Sequence, residues 1–184
     1  NPFFHFFESL WILAGRRDVA WIEHFNAKIG QFSDDGVNFH GAYGYRIRTM
    51  FNIDQIKELK GVFEKDPTSR RGVLSMWSPN LDLGVESKDL CCNTHIYFKI
   101  RDSRLFMTVA CRSNDLIWGH SGANVVHFSI LQEYIAAMLG VEVGIYVQFS
   151  DSLHVYNERE DWRKLSGMER PIHDYYSSGF VKPF

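Results

Sequence analysis

Cys92 stands just before an apolar, strand-like run. A cysteine can attack carbon when a nearby cation or dipole favours its thiolate. A lone cysteine is more often a small buried hydrophobe, the reading for Cys91 and Cys111. Two arginine clusters could hold an anionic substrate. Ser69-Arg70-Arg71 falls at an expected helix-to-strand turn, and Arg112-Ser113-Asn114-Asp115 follows the second strand of an expected hairpin. The guanidinium fork and the serine hydroxyl suit phosphate. Arg16-Arg17 and Arg46/Arg48 read as less special, in keeping with solvated charge. His154 and Tyr156 alternate along an expected strand and so share a face, able to grip a sugar hydroxyl or to sit as satisfied core polars. No Cys/His spacing makes a zinc site, and there is no glycine loop of the phosphate-cradling type.

The elements around these residues are expected to be mixed. Pro2 followed by FFHFFESLWILAG reads as a buried helix stopped by Gly15. A second helix is expected from Asp18 to about Ile29, and a loop from Ser33 to Gly44. Ile56, Leu59 and Phe63 have helical spacing over Asp54 to Lys65. Gly72 to Trp77, His95 to Arg101 and Leu105 to Cys111 read as strands, the last two joined by Asp102-Ser103-Arg104. Asn124 to Leu139 is a long apolar helix closed by Gly140. Val143 to Phe149 and Leu153 to Tyr156 read as two further strands, with helix and tail from Asn157. This is an α+β pattern, a sheet covered by helices.

The chain of 184 residues is 45% hydrophobic and 15% aromatic, enough for one packed domain spanning 1–184. A formal net charge of -2 argues against generic nucleic-acid binding, so an anionic ligand must be held by local arginines. Three cysteines make no disulfide framework and fit a reducing, cytoplasmic setting. No apolar run is long enough for a membrane span, and no signal peptide is seen. The first residue is Asn1, so an N-terminal piece is expected to be missing.

Taken in order, the clusters resemble the thymidylate synthases and the related pyrimidine nucleotide hydroxymethylases. Glu8-Ser9-Leu10-Trp11 is similar to that family's Glu-Leu-Leu-Trp helix, and Tyr43-Gly44 with Arg48 to its Tyr-Gly-x-x-x-Arg segment. Asp66-Pro67-Thr68-Ser69-Arg70-Arg71 resembles Asp-Pro-x-Ser-Arg-Arg, and Cys92 stands at the Pro-Cys-His nucleophile. Arg112-Ser113-Asn114-Asp115 with Gly119 resembles Arg-Ser-x-Asp-x-x-x-Gly; Asn124 opens the next helix as the base-reading Asn does; His154-Val155-Tyr156 resembles His-x-Tyr. Each motif alone is weak, but seven in order are specific, and they run from Phe3 to about Glu158.

The resemblance implies a thymidylate synthase-like fold, a mixed sheet packed by helices, in a sheet-to-sheet homodimer. It implies a pyrimidine nucleoside monophosphate and 5,10-methylenetetrahydrofolate as ligands, with no metal. Cys92 would add to C6 of the pyrimidine and make C5 nucleophilic. Arg112 and Ser113 would bind the phosphate, with Arg70 and Arg71 reaching the partner's phosphate across a two-fold axis. His154 and Tyr156 would hold the 3'-hydroxyl, Asp115 the pterin, with Gly119 beside it. Glu8 would organise water and proton transfer, and Tyr43 would help remove the C5 proton. Neighbouring arginines are expected to lower the Cys92 pKa.

Departures from the pattern bear on the product. Cys91 and Asn93 flank the nucleophile in place of Pro and His, Tyr97 stands at a nucleotide-contacting Gln, and Ile29-Gly30 replaces Ile-Trp. In the synthase that tryptophan shields the electrophilic C5 methylene. A dry site delivers hydride and gives methyl; a wet one admits water and gives hydroxymethyl. Gly30 therefore favours hydroxymethylation, unless Phe32 or Trp118 fills the space. An amide at Asn124 matches the O4/N3-H edge of uracil, whereas the phage deoxycytidylate hydroxymethylase that shares Arg-Ser-Asn-Asp has an Asp there. Gly122-Ala123 reads as a one-residue insertion before that helix and bears on the aim of Asn124. A methylating synthase and a non-catalytic nucleotide-binding homologue are the alternatives.

Overall fold

The computed structural model describes residues 1–156. The helix and tail expected from Asn157 lie outside them. Helix α1 (Pro2–Leu13) begins with Pro2 in its first turn, and Asn1 caps it by accepting from the amides of Phe3 and Phe4. Its buried residues Phe4, Trp11 and Ile12 pack with Val19 and Ile22 of α2 (Val19–Ile22), and with Phe39 and Ala42 from the loop. The second helix is thus much shorter than its pattern suggests. Asp18 caps it, and Gly30 falls instead in a separate 3-10 turn, Ile29–Phe32.

Two short elements were not legible in the sequence: α3 (Tyr43–Tyr45), continuing as a π turn over Arg46–Met50, and α5 (Pro79–Asp82). Between them run α4 (Gln55–Lys65), capped by Asp54, and β1 (Gly72–Ser75). Next come β2 (Asn93–Arg101) and β3 (Arg104–Asp115), joined at Asp102 and Ser103, both at positive φ. Helix α6 (Asn124–Leu139) ends as expected at Gly140. Strand β4 (Glu142–His154) is one strand where two were expected; its pairing with β3 runs on through Ser150 and Ser152 to His154.

The sheet order is β1-β2-β3-β4. The first three strands are antiparallel neighbours, whereas β4 runs parallel to β3 after the α6 crossover, so the sheet is mixed. One face buries Leu74, Ile96, Leu105, Met107 and Val109 against Ile56, Leu59 and Phe63 of α4 and Phe128, Leu131 and Ile135 of α6. The other face carries Val73, Tyr97, Ile145, Val147 and Phe149, all large and exposed. Val73, Tyr97, Thr108 and Val147 are register partners in succession across the four strands, so this is one continuous surface.

The two cores meet at Tyr43, which packs against both. Gly44 makes that approach possible, because a Cβ there would overlap the carbonyl oxygen of Ile12 in α1. Arg46, expected to be unremarkable surface charge, is fully buried. Its guanidinium donates to both carboxylate oxygens of Asp82, at 2.9 and 2.8 Å, and to the carbonyl of His40 at 2.9 Å. Burial pushes the Asp82 carboxyl up, but hydrogen bonds from Arg46 and the Ser78 amide overcome it and hold the group below its usual range.

Removing one partner leaves a buried charge alone. Asp82→Asn is expected to cost roughly 3–5 kcal/mol in urea unfolding at neutral pH, by the usual size of such a loss. Because the folded pKa is depressed, this contribution is complete above the unfolded value of about 4 and is lost as pH falls through the folded one. The gap between wild type and variant should therefore shrink only in acid.

Candidate active site

A cavity of about 830 Å³ opens at the junction of the two cores. Cys92, Tyr43, Glu8, Ser113, Asp115, Gly119, Asn124, His154 and Tyr156 all line it. Residues from α1, α3, β3, β4 and α6 thus reach one space through their order along the chain. Arg112, Arg70 and Arg71 do not line it. Arg112 belongs to β3 rather than following it; its Nε donates to the Cys91 carbonyl at 2.8 Å, and its guanidinium lies over the Trp77 ring at 5.3 Å. Arg70 and Arg71 are exposed on the α4–β1 turn, and Tyr97 is on the open sheet face.

Cys92 hangs from a braced loop. The Asp89 carboxylate accepts from the Gly41 amide at 2.8 Å, and the Cys91 thiol donates to the Gly41 carbonyl at 3.2 Å. The Arg112 amide donates to the Cys92 carbonyl at 2.9 Å. The expectation of a lowered Cys92 pKa is overturned for this chain. Burial pushes the thiol up; Arg112 pulls it down and Asp89 opposes Arg112, with a raised pKa as the result.

Asn93 follows Cys92 and is wholly buried, its amide nitrogen donating to the Tyr43 hydroxyl at 2.9 Å. Burial is also the leading reason that the Tyr43 phenol lies well above its ordinary range, with Cys92 and Cys91 adding to it. A phenol so held stays neutral. It can pass a proton to or from a water, but it is not a resident base.

The insertion before α6 is absorbed locally. Leu116–Ala123 forms a π turn broken at Gly122, with φ -127 and ψ -106, and Asn124 still opens α6 on the cavity wall. Its amide donates to Asn114 Oδ1 at 3.1 Å, leaving its own oxygen and one N–H for a ligand. Gly119 permits this pairing, since a Cβ there would overlap Asn114 Oδ1. Asp115 accepts from the amides of Ile117 and Trp118, which points its carboxylate along the cavity edge. His154 and Tyr156 meet edge to face at 5.1 Å. Gly30 is not a simple opening: a Cβ there would meet Val19 Cγ1 at 3.2 Å, and the adjoining wall is filled by Phe32 packed on Trp118.

The sequence reading missed His127 and His5. His127 is one turn beyond Asn124 on α6, and His5 one turn before Glu8 on α1, so the spacing of three was the available signal. His127 Nε2 lies 2.8 Å from Glu8 Oε2, and His5 Nδ1 3.7 Å from the same oxygen. Burial would raise the Glu8 carboxyl, yet the two histidines together bring it down to about 2. One donor atom from each residue lies within 4.8 Å of the others, a set that could also hold a divalent cation.

The fold and this cavity define a thymidylate synthase-type protein, and residues 4–171 match the family model described as thymidylate synthase, so the chain belongs to that family. Deoxyuridylate hydroxymethyltransferase of Pseudomonas phage M6 is 46% identical over 100% of this chain and 55% of its own length. The protein of the same name from Bacillus phage SP01 is 44% identical over 91% of this chain and 48% of its own. The chain therefore spans about half the length of these relatives. Among solved structures, thermostable thymidylate synthase A from Bacillus subtilis superposes with a TM-score of 0.73 at 27% identity, over 88% of this chain and 60% of that one.

Alkylation of Cys92 by iodoacetamide is expected to level off at a higher pH than that of a free thiol, whose ordinary pKa is near 8.5. Arg112→Gln should slow it further near pH 8, since losing the cation raises the thiol pKa again. A plateau at or below that of free cysteine, read by mass spectrometry of the Cys92 peptide, would contradict this assignment.

Proposed function

We propose that this chain transfers a one-carbon unit from 5,10-methylenetetrahydrofolate to C5 of a pyrimidine nucleoside 5'-monophosphate, dUMP being favoured, and releases the 5-hydroxymethyl nucleotide. The observation that carries the reading is that Cys92, Asn124 and Glu8 line one cavity. They offer a nucleophile, a base-reading amide and an ionised group able to order water. The names of the two phage relatives, deoxyuridylate hydroxymethyltransferase, support the same product.

The residues divide the work. Cys92 adds to C6 and makes C5 a nucleophile. The free carbonyl and N–H of Asn124 match N3-H and O4 of uracil. Ser113 holds the phosphate from the cavity wall, joined by Arg112 once its guanidinium turns from the Cys91 carbonyl and the Trp77 ring toward it, and His154 with Tyr156 hold the 3'-hydroxyl. The folate fits the remaining wall: Phe32, Trp118 and Ile22 are apolar surfaces for a pterin, and Asp115 with Gly119 lies at their edge. When bound, the folate supplies the one-carbon unit. Tyr43, kept neutral, holds the water that takes the C5 proton. A methylating synthase has one observation in its favour, the Phe32–Trp118 pair that closes the wall beside Gly30.

The working unit is a homodimer joined through the open sheet face, with Arg70 and Arg71 donated to the partner's phosphate. The supporting observation is the exposed run of Val73, Tyr97, Val147 and Phe149, an apolar patch unusual on a monomer. The chain acts as one catalytic domain in the cytoplasm. Its three free thiols fit a reducing compartment, and among the described residues no helix is long and apolar enough to cross a membrane.

Incubated with methylenetetrahydrofolate and dUMP, dCMP, UMP or CMP, the protein is expected to give hydroxymethyl-dUMP by mass spectrometry with no rise in dihydrofolate absorbance. A methyl product with equal dihydrofolate would sink the reading. Cys92→Ser should lower turnover roughly a thousandfold or more, as loss of a covalent nucleophile does. Val147→Asp is expected to give monomers in sedimentation velocity; a dimer that tolerates that charge would move the interface elsewhere.

A further inference from the structure

Asn114 is the one member of the Arg112-Ser113-Asn114-Asp115 run with no part in the chemistry above, yet it lines the cavity while only 1% exposed. Both ends of its amide are engaged. Its Nδ2 donates to Ser150 Oγ of β4 at 2.9 Å, and its Oδ1 accepts from Nδ2 of Asn124, itself buried, at 3.1 Å. Gly119 closes the side of the pair: a Cβ there would overlap Asn114 Oδ1 and stand 3.0 Å from Asn124 Nδ2. Donation thus runs in one direction, from Asn124 to Asn114 to Ser150, and Asn124 forms the cavity end of the row.

We propose that Asn114 determines specificity: it makes the site choose uracil over cytosine by fixing which way round Asn124 presents its amide. This rests on the dUMP reading above. Uracil offers an N3–H donor beside an O4 acceptor. Cytosine offers an N3 acceptor beside an amino donor, so the order along its edge is reversed. A primary amide matches either order, because turning it end for end exchanges oxygen and nitrogen. A free Asn124 would therefore read both bases, and Asn114 removes that freedom. With one N–H of Asn124 spent on Asn114 Oδ1, the oxygen and the other N–H face the ligand in one order only. Turning Asn124 alone would set its Oδ1 against Asn114 Oδ1, two acceptors face to face with Asn114 closed off from water. Turning Asn114 as well would aim its Oδ1 at Ser150, whose hydroxyl must then rotate to donate. A uracil leaves all three groups as they stand, whereas a cytosine must reverse all three. Asn114 acts through Asn124 and is a positioning residue.

The test is calorimetric binding of dUMP and dCMP to the full chain. The two share sugar and phosphate, so damage elsewhere in the cavity lowers both affinities together and leaves their ratio unchanged. Wild type should prefer dUMP. In Asn114→Ala that preference should shrink about tenfold, the weight of one hydrogen bond. Asn114→Asp, whose carboxylate only accepts, holds Asn124 in the observed sense and should keep the preference, with Ser150 turning to donate. The ratio of kcat/KM values for the two nucleotides should move in step with the binding ratio.

An unchanged ratio in Asn114→Ala overturns the proposal, and so does a preference turned to dCMP in Asn114→Asp. If Asn114→Ala does not fold, as judged by circular dichroism, two other variants decide in its place: Asn114→Asp should keep the ratio, and Ser150→Ala should narrow it about threefold. A wild type that binds dCMP as tightly as dUMP, or binds neither, overturns the dUMP reading before any variant is made, and the proposal with it.

Discussion

A guanidinium sealed from water holds the loop against which Cys92 is set. Arg46 reaches Asp82, the His40 carbonyl and, at 3.4 Å, the Met76 carbonyl, so one cation gathers three separate stretches of chain. Asp82 in turn accepts from the Ser78 amide and approaches the His40 ring at 3.2 Å. The segment so fixed includes Gly41, whose amide and carbonyl engage Asp89 and Cys91. A pair this deep adds little net stability over apolar packing, because desolvation offsets its attraction. Its value is geometric. It gives the loop carrying Cys92 a single position relative to Tyr43.

That position places the chemistry at a seam. The α1–α2 core and the sheet core are each closed by apolar packing, and neither contains a site alone. Where they meet, backbone groups and polar side chains must find partners, and the cavity walls are made of these. Tyr43 bridges the cores and answers Asn93; Asn124 answers Asn114 across the space kept by Gly119. The surroundings then sort the ionisable groups. Burial without a strong cation keeps the Cys92 thiol and the Tyr43 phenol protonated, whereas two histidines keep Glu8 ionised. A charged carboxylate thus stands beside an apolar wall in the same cavity.

The sequence by itself determined the long elements and many of the residues that line the cavity. α1, α4 and α6 were legible because their apolar residues repeat with helical period and their ends carry proline, aspartate or glycine. The site residues were legible as ordered motifs, and nine of them do line one cavity. Tertiary structure decided the rest. The helix expected after Asp18 stops at Ile22, since packing on α1 takes only one turn of it. Two strands expected near the C-terminal end join into β4 because pairing with β3 runs through the polar residues between them. Arg46 could not be told from surface charge, because its carboxylate partner Asp82 is 36 residues away. The same holds for His127 and Glu8, on helices far apart along the chain: spacing shows which face a side chain takes, but only packing shows what that face meets.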